Sequence, residues 1–295
     1  MPNLTTTTYN TDTRIEINSS SINSLISLSE IIQLNILDLI VGSLSIPSGS
    51  TFIIDTPLTT ATLVNKYGQG TLWLSASYNN PSPGAVKIYE GTVIINNSNN
   101  ALDGTIEIST KNNASLRVEN NSTNLFTNTI NYATPPIGTP SDPSITFATS
   151  SIPTDLYIPN TLWVAGSVIV ETGQKVIVPM IGQYTPSPVV VRGELVLNSS
   201  VFNNVPYVIS GSGIVRIIGT GTYQFLSPNT YSGGTYVENG TLVTVNSFAA
   251  GTGPIYVSAG GTLDMDGYDL APRTIYSYGG TILNDASYTG QIINL

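Results

Sequence analysis

Cysteine and histidine are both absent from the 295 residues. No disulfide can staple such a chain, no thiolate can hold a metal, and the commonest general base is missing. No cofactor is therefore expected. Charge is scarce too: 9% of residues carry it, with 9 Lys and Arg against 18 Asp and Glu. A net charge of −9 repels phosphate backbones and anionic lipid, so nucleic acid is not an expected partner. Long apolar runs are lacking as well. The most apolar stretch, residues 22–46, is broken by Glu30, Gln33, Asp38 and several Ser and Asn, whereas a membrane span needs about 20 nearly continuous apolar residues. Buried strands are expected there, with a short helix over 22–34 as the alternative, and no membrane insertion. The start shows no basic segment followed by an apolar one, so no secretory leader is visible.

What fills the chain is Ser, Thr, Asn and Gly with recurring Ile and Val, the vocabulary of strands and turns. Self-similarity organises it. GQGTLWLSASYNNPSPGAVKIYEGTVIINN from Gly68 matches GTGTYQFLSPNTYSGGTYVENGTLVTVN from Gly219, and ALDGTIEISTKNNASLRVEN from Ala101 matches AAGTGPIYVSAGGTLDMDG from Ala249. The offset stays at about 150 residues. Inside these repeats, period-two alternation places Val86 and Ile88 opposite Lys87, Ile106 and Ile108 opposite Glu107, and Leu116 and Val118 opposite Arg117. Short alternating strands separated by Gly, Asn, Ser and Pro predict an all-β fold, an elongated parallel β-helix or β-solenoid in which each strand bonds to its counterpart one rung away. Six prolines between 121 and 160 argue against central strands there. The expected organisation is an N-terminal segment or cap over 1–34, a first solenoid half over 35–120, a proline-rich loop or linker over 121–160, and a second half over 161–295.

Residues 229–267, with NTYSGGT at Asn229 to Thr235, Gly240-Thr241-Leu242 and Gly260-Gly261-Thr262-Leu263, resemble the passenger-associated repeats of bacterial autotransporter proteins. Residues 68–120 resemble them more loosely. The resemblance implies a right-handed parallel β-helix displayed outside a cell, in adhesion, aggregation or surface-layer roles. The leader and the C-terminal membrane barrel of that family are not visible in these residues, and neither is a catalytic domain.

Candidate chemistry is sparse. Trp73 and Trp163 lie in the sister strings TLWLSAS and TLWVAGS, each between aliphatics expected to face inward, so both should point outward. Alternation puts Tyr89 and Tyr236 on the outer face as well. Exposed aromatics stack on sugar rings or anchor protein partners. Asp264, Asp266 and Asp269 form the densest carboxylate cluster, a weak calcium candidate set against ordinary solvated turn residues. Glu107, Arg117 and Glu119 could share an outer face, the arrangement a polysaccharide-cleaving β-helix would need. No residue is singled out as catalytic. The expected function is a non-catalytic structural protein of the extracellular space or the cell or virion surface: a fibre subunit, stalk or adhesin. Its expected partners are other copies of itself, surface glycans or a host receptor. The alternative is a carbohydrate-binding or polysaccharide-degrading β-helix.

Overall fold

The computed structural model describes residues 4–9, 12–17, 41–49, 51–54, 63–74, 86–96, 105–109, 113–120, 129–132, 143–149, 155–183, 187–270 and 273–295. Residues 22–34, where a short helix was the alternative, lie outside them. Among the described residues the fold is all-β, a solenoid of parallel strands with no helix. The chain divides into two compact units, residues 1–146 with 150–152 and residues 147–149 with 153–295.

In the first unit, one sheet runs Leu4–Tyr9, Asp12–Ile17, Val41–Ser45, Leu63–Tyr67, Val86–Ile88, Thr105–Ile108 and Thr129–Tyr132. Only its first pair is antiparallel. A second sheet stacks Thr51–Ile54, Thr71–Leu74, Thr92–Asn96 and Ser115–Asn120, again in parallel. Strict alternation gives each sheet an aliphatic inner column. Phe52, Leu72, Val93 and Leu116 are register partners on successive rungs, as are Val64, Val86, Ile106 and Ile130, and all eight are buried. Three strands fall within 121–160: Thr129–Tyr132, Ser144–Thr149 and Asp155–Tyr157. Pro143 directly precedes one of them and Pro159 follows another, positions where the missing N–H breaks no ladder bond.

The second unit is built on the parallel ladder Asp155–Tyr157, Lys175–Val178, Glu194–Leu197, Ile214–Ile217, Thr235–Thr244, Ile255–Asp264, Thr274–Tyr278 and Gln291–Asn294. Bonds between rungs join residues about 20 apart, as where Ile209 N donates to Asn229 Oδ1 at 2.6 Å. The same buried Asn229 donates onward to Ala249 O, so one side chain ties three successive rungs. Leu156, Val176, Leu195, Val215, Ile255 and Ile275 line the interior. Thr235 interrupts that column, its hydroxyl satisfied by Tyr231 Oη at 2.6 Å and Ala250 O at 2.9 Å. The ten-residue strands Thr235–Thr244 and Ile255–Asp264 each turn a corner, and their mutual register shifts between Val237 and Asn239. Gly240 makes this corner possible: its φ is 67°, and a Cβ there would lie 2.2 Å from Gly219 O.

Lys66 and Arg273 are the buried cations among the described residues, and Lys66 sits among the inner aliphatics. Lys66 follows Val64 by two residues, pairs in register with Ile88, and is fully buried. Its ammonium donates to the carbonyls of Tyr67 at 2.9 Å, Gly68 at 2.6 Å and Glu90 at 3.0 Å, using all three protons. Burial lowers its pKa from 10.5 to about 8, against the opposing pull of Glu90.

Two outcomes follow. Leu195→Ala leaves a cavity between Val176 and Val215 and should cost about 2–5 kcal/mol, read as a lowered thermal midpoint. Between pH 8 and 10.5 the unfolded chain holds a proton on Lys66 that the folded chain has lost. This group therefore makes the fold more stable as pH rises from about 8, and Lys66→Met should flatten that rise in urea titrations. Burial raises the Tyr207 and Tyr231 phenols above 10.0, so their contribution has the opposite sign and is lost as pH climbs past that value.

Candidate functional site

In the second unit, the side of the long ladder opposite the aliphatic column carries a column of its own. Tyr157, Ile177, Val196, Arg216, Tyr236, Tyr256, Tyr276 and Ile293 are register partners on successive rungs, with Ile177 and Val196 buried and the residues from Arg216 onward partly exposed. Each outward tyrosine of the central trio sits beside a buried inner neighbour, Val237, Ile255 or Ile275, so strand alternation alone turns the phenols outward. Parallel in-register pairing then stacks them. Tyr236 and Tyr256 have centroids 4.5 Å apart with planes 13° from parallel, and Tyr256 and Tyr276 are 5.1 Å apart at 12°.

Arg216 closes the top of this stack. Its guanidinium lies 4.5 Å over the Tyr236 ring, close enough for a cation–π contact. Nε donates to Glu194 at 2.6 Å and Nη1 to Glu238, so two carboxylates flank one cation. Partial burial pulls the guanidinium pKa down, but the two glutamates outweigh it and hold the group above its ordinary value. Both faces of Tyr236 are thus occupied, one by Arg216 and one by Tyr256. The column offers solvent a row of ring edges and hydroxyls.

A shorter stack marks the first unit, where Tyr67 and Tyr89 lie 4.5 Å apart and 1° from parallel. Tyr89 is therefore outward, as alternation indicates, with one face spent on Tyr67. Trp73 stands on the outer side of Thr71–Leu74 but is partly buried, and its buried indole Nε1 has no hydrogen-bond partner among the described residues. Trp163 differs. It is 49% exposed between buried Leu162 and Val164, and its ring rests on its register partner Gly182. A Cβ at 182 would come within 2.6 Å of Trp163 Cε3, so glycine there makes the flat seat.

The carboxylates do not converge. Glu107 pairs with Lys87 at 3.2 Å in one sheet, whereas Arg117 and Glu119 pair at 3.0 Å in the other. The three residues do not share a face, because alternation distinguishes in from out but not one sheet from the next. Asp264 Oδ1 accepts from Asp266 N at 2.9 Å and Asn284 Nδ2 at 2.7 Å. Asp269 accepts from Thr289 N at 3.1 Å and Thr289 Oγ1 at 2.7 Å. These aspartates stitch their turn to the next rung, and no group of three or more potential ligands that could hold a metal ion occurs among the described residues.

Tyr256, Tyr276, Arg216 and Tyr67 escaped the sequence reading. The signal was present in TYV, IYV and IYS, which place a tyrosine at 236, 256 and 276, one rung apart each time. The long offset between the halves had masked that shorter period.

The chain is similar to an autotransporter adhesin. Over 105 aligned residues it is 35% identical to the adhesin BmaC autotransporter of Brucella suis biovar 1 (strain 1330), covering 30% of this chain. It spans 3% of that protein's length. No family model matches the chain, and no solved structure matches it.

Tyr256→Ala removes both contacts of the central ring and should cost about 1–3 kcal/mol at 0.5–1.5 kcal/mol per aromatic pair. Tyr256→Phe keeps the stacking and should stay close to the parent in the same thermal melts.

Proposed function

We propose that this chain is a non-catalytic, surface-displayed β-solenoid of the adhesin kind, presenting outward aromatic side chains to a partner outside the cell. The similarity to an autotransporter adhesin carries the reading. The chemistry of the outer face supports it. Lys87, Arg117, Lys175, Arg192 and Arg216 each pair with a carboxylate, so on a chain of net charge −9 these cations are spent and a neutral ligand is favoured over an anionic one.

Glycans are the partner favoured by one specific observation, the seat of Trp163 on Gly182. Of the four aromatics singled out in the sequence, Tyr236 has both faces covered, Tyr89 has one covered by its stack, and Trp73 is half-buried. Trp163, seated on Gly182 and held by further contacts of its own, is 49% exposed. An indole exposed to that extent offers apolar surface and an N–H donor to a neutral ligand such as a sugar.

The test is retention of the purified protein on immobilised neutral polysaccharides, followed by tryptophan fluorescence. Trp163→Ala should weaken retention about tenfold or more, equivalent to at least about 1.4 kcal/mol. Gly182→Ala, which lifts the ring from its seat, should weaken it with both tryptophans present. Unchanged retention in both variants would remove Trp163 from the contact. Release of shortened sugar chains would overturn the non-catalytic reading. Mass photometry of the same preparation reports whether copies of the chain also associate.

A further inference from the structure

We propose that the Tyr236, Tyr256 and Tyr276 column is an oxidative cross-linking site, in which adjacent rungs become joined within one chain by a dityrosine bond. The proposal does not depend on the partner or role of the outer face. It rests on the stacking geometry and on which other side chains are present.

The rings are neighbours in register, 4.5 Å and 5.1 Å apart and within 13° of parallel. Nearly parallel rings at these separations put the ortho carbons of each phenol within a few ångströms of its register neighbour's ring, and the strand spacing of about 4.8 Å keeps the rings adjacent. All three side chains are partly exposed on the outer face, within reach of a small oxidant. Cysteine, the side chain that would intercept oxidants first, is absent from the whole chain.

A peroxide-driven one-electron oxidant takes one electron from each of two phenols, and each phenol releases its hydroxyl proton to solvent. The two neutral tyrosyl radicals combine through their ortho carbons to form one carbon–carbon bond. Each ring then regains aromaticity as its ortho hydrogen leaves that carbon and a proton returns to its oxygen. The protein loses two hydrogen atoms, and the oxidant gains two electrons and two protons. The product is a covalent tie between rungs in a chain that cannot form disulfides.

Tyr278 lies on the same face as Tyr276, and Tyr67 with Tyr89 forms a separate stack. The experiment therefore uses the full chain with Tyr67→Phe and Tyr278→Phe as its background. Dilute folded protein is oxidised with a photo-activated ruthenium bipyridyl complex and persulfate, then analysed by intact mass, dityrosine fluorescence and cross-linked peptide mapping. The expected result is a monomer lacking two hydrogen atoms, with peptides joining Tyr256 to Tyr236 or Tyr276. Adding Tyr256→Phe should abolish cross-links within the column although two of its tyrosines remain, because Tyr236 and Tyr276 are two rungs apart. Adding Tyr236→Phe should preserve the Tyr256 to Tyr276 product. Circular dichroism checks that each variant is folded. A product joining Tyr236 to Tyr276 in the Tyr256→Phe variant, dityrosine found only between chains, or no intramolecular product in the background protein would each overturn the proposal.

Discussion

In-register backbone pairing between rungs is the constraint on which everything else depends. Each strand bonds to the strand one rung away, so every side chain has its register partner about 4.8 Å above or below it. Residue types consequently form columns. Aliphatics stack inside as Leu156, Val176, Leu195 and Val215; tyrosines stack outside as Tyr236, Tyr256 and Tyr276. Asn229 satisfies rungs on both sides with a single amide. A side chain that suits its column is reinforced at each step, and one that does not must be satisfied locally, as Thr235 and Lys66 are.

Charge follows the same logic. With few charged residues in the chain, the Lys66 ammonium is held by three carbonyls at a corner, where strand ends leave acceptors available, with the Glu90 carboxylate close enough to stabilise its charge. On the outer face, rung-to-rung proximity brings Lys175 to Asp155 and Arg216 to Glu194. Carboxylates held this way orient cations and neighbouring rings.

Alternation was readable without coordinates. Val86, Ile88, Ile106, Ile108, Leu116 and Val118 are all buried, with Lys87, Glu107 and Arg117 between them on the outside. The outward direction of Trp73, Trp163, Tyr89 and Tyr236 was readable for the same reason. Lys66 was also at an inward position by its spacing from Val64, yet a lysine is not an expected core residue until carbonyls are seen to receive it. The prolines of 121–160 masked strands, because proline forbids a ladder N–H at its own position and not at the residues that follow.

By itself, the sequence determined the fold class and the inward or outward sense of each strand residue, since a period of two is local and requires no knowledge of neighbours. It also determined, through missing cysteine and histidine, the chemistry the chain cannot perform. Only the tertiary structure decided which residues meet, because register and sheet membership join positions about 20 residues apart. That is how Glu107 was separated from Arg117, how Trp163 acquired Gly182 as its seat, and how three tyrosines spread along the chain became one stack beneath Arg216.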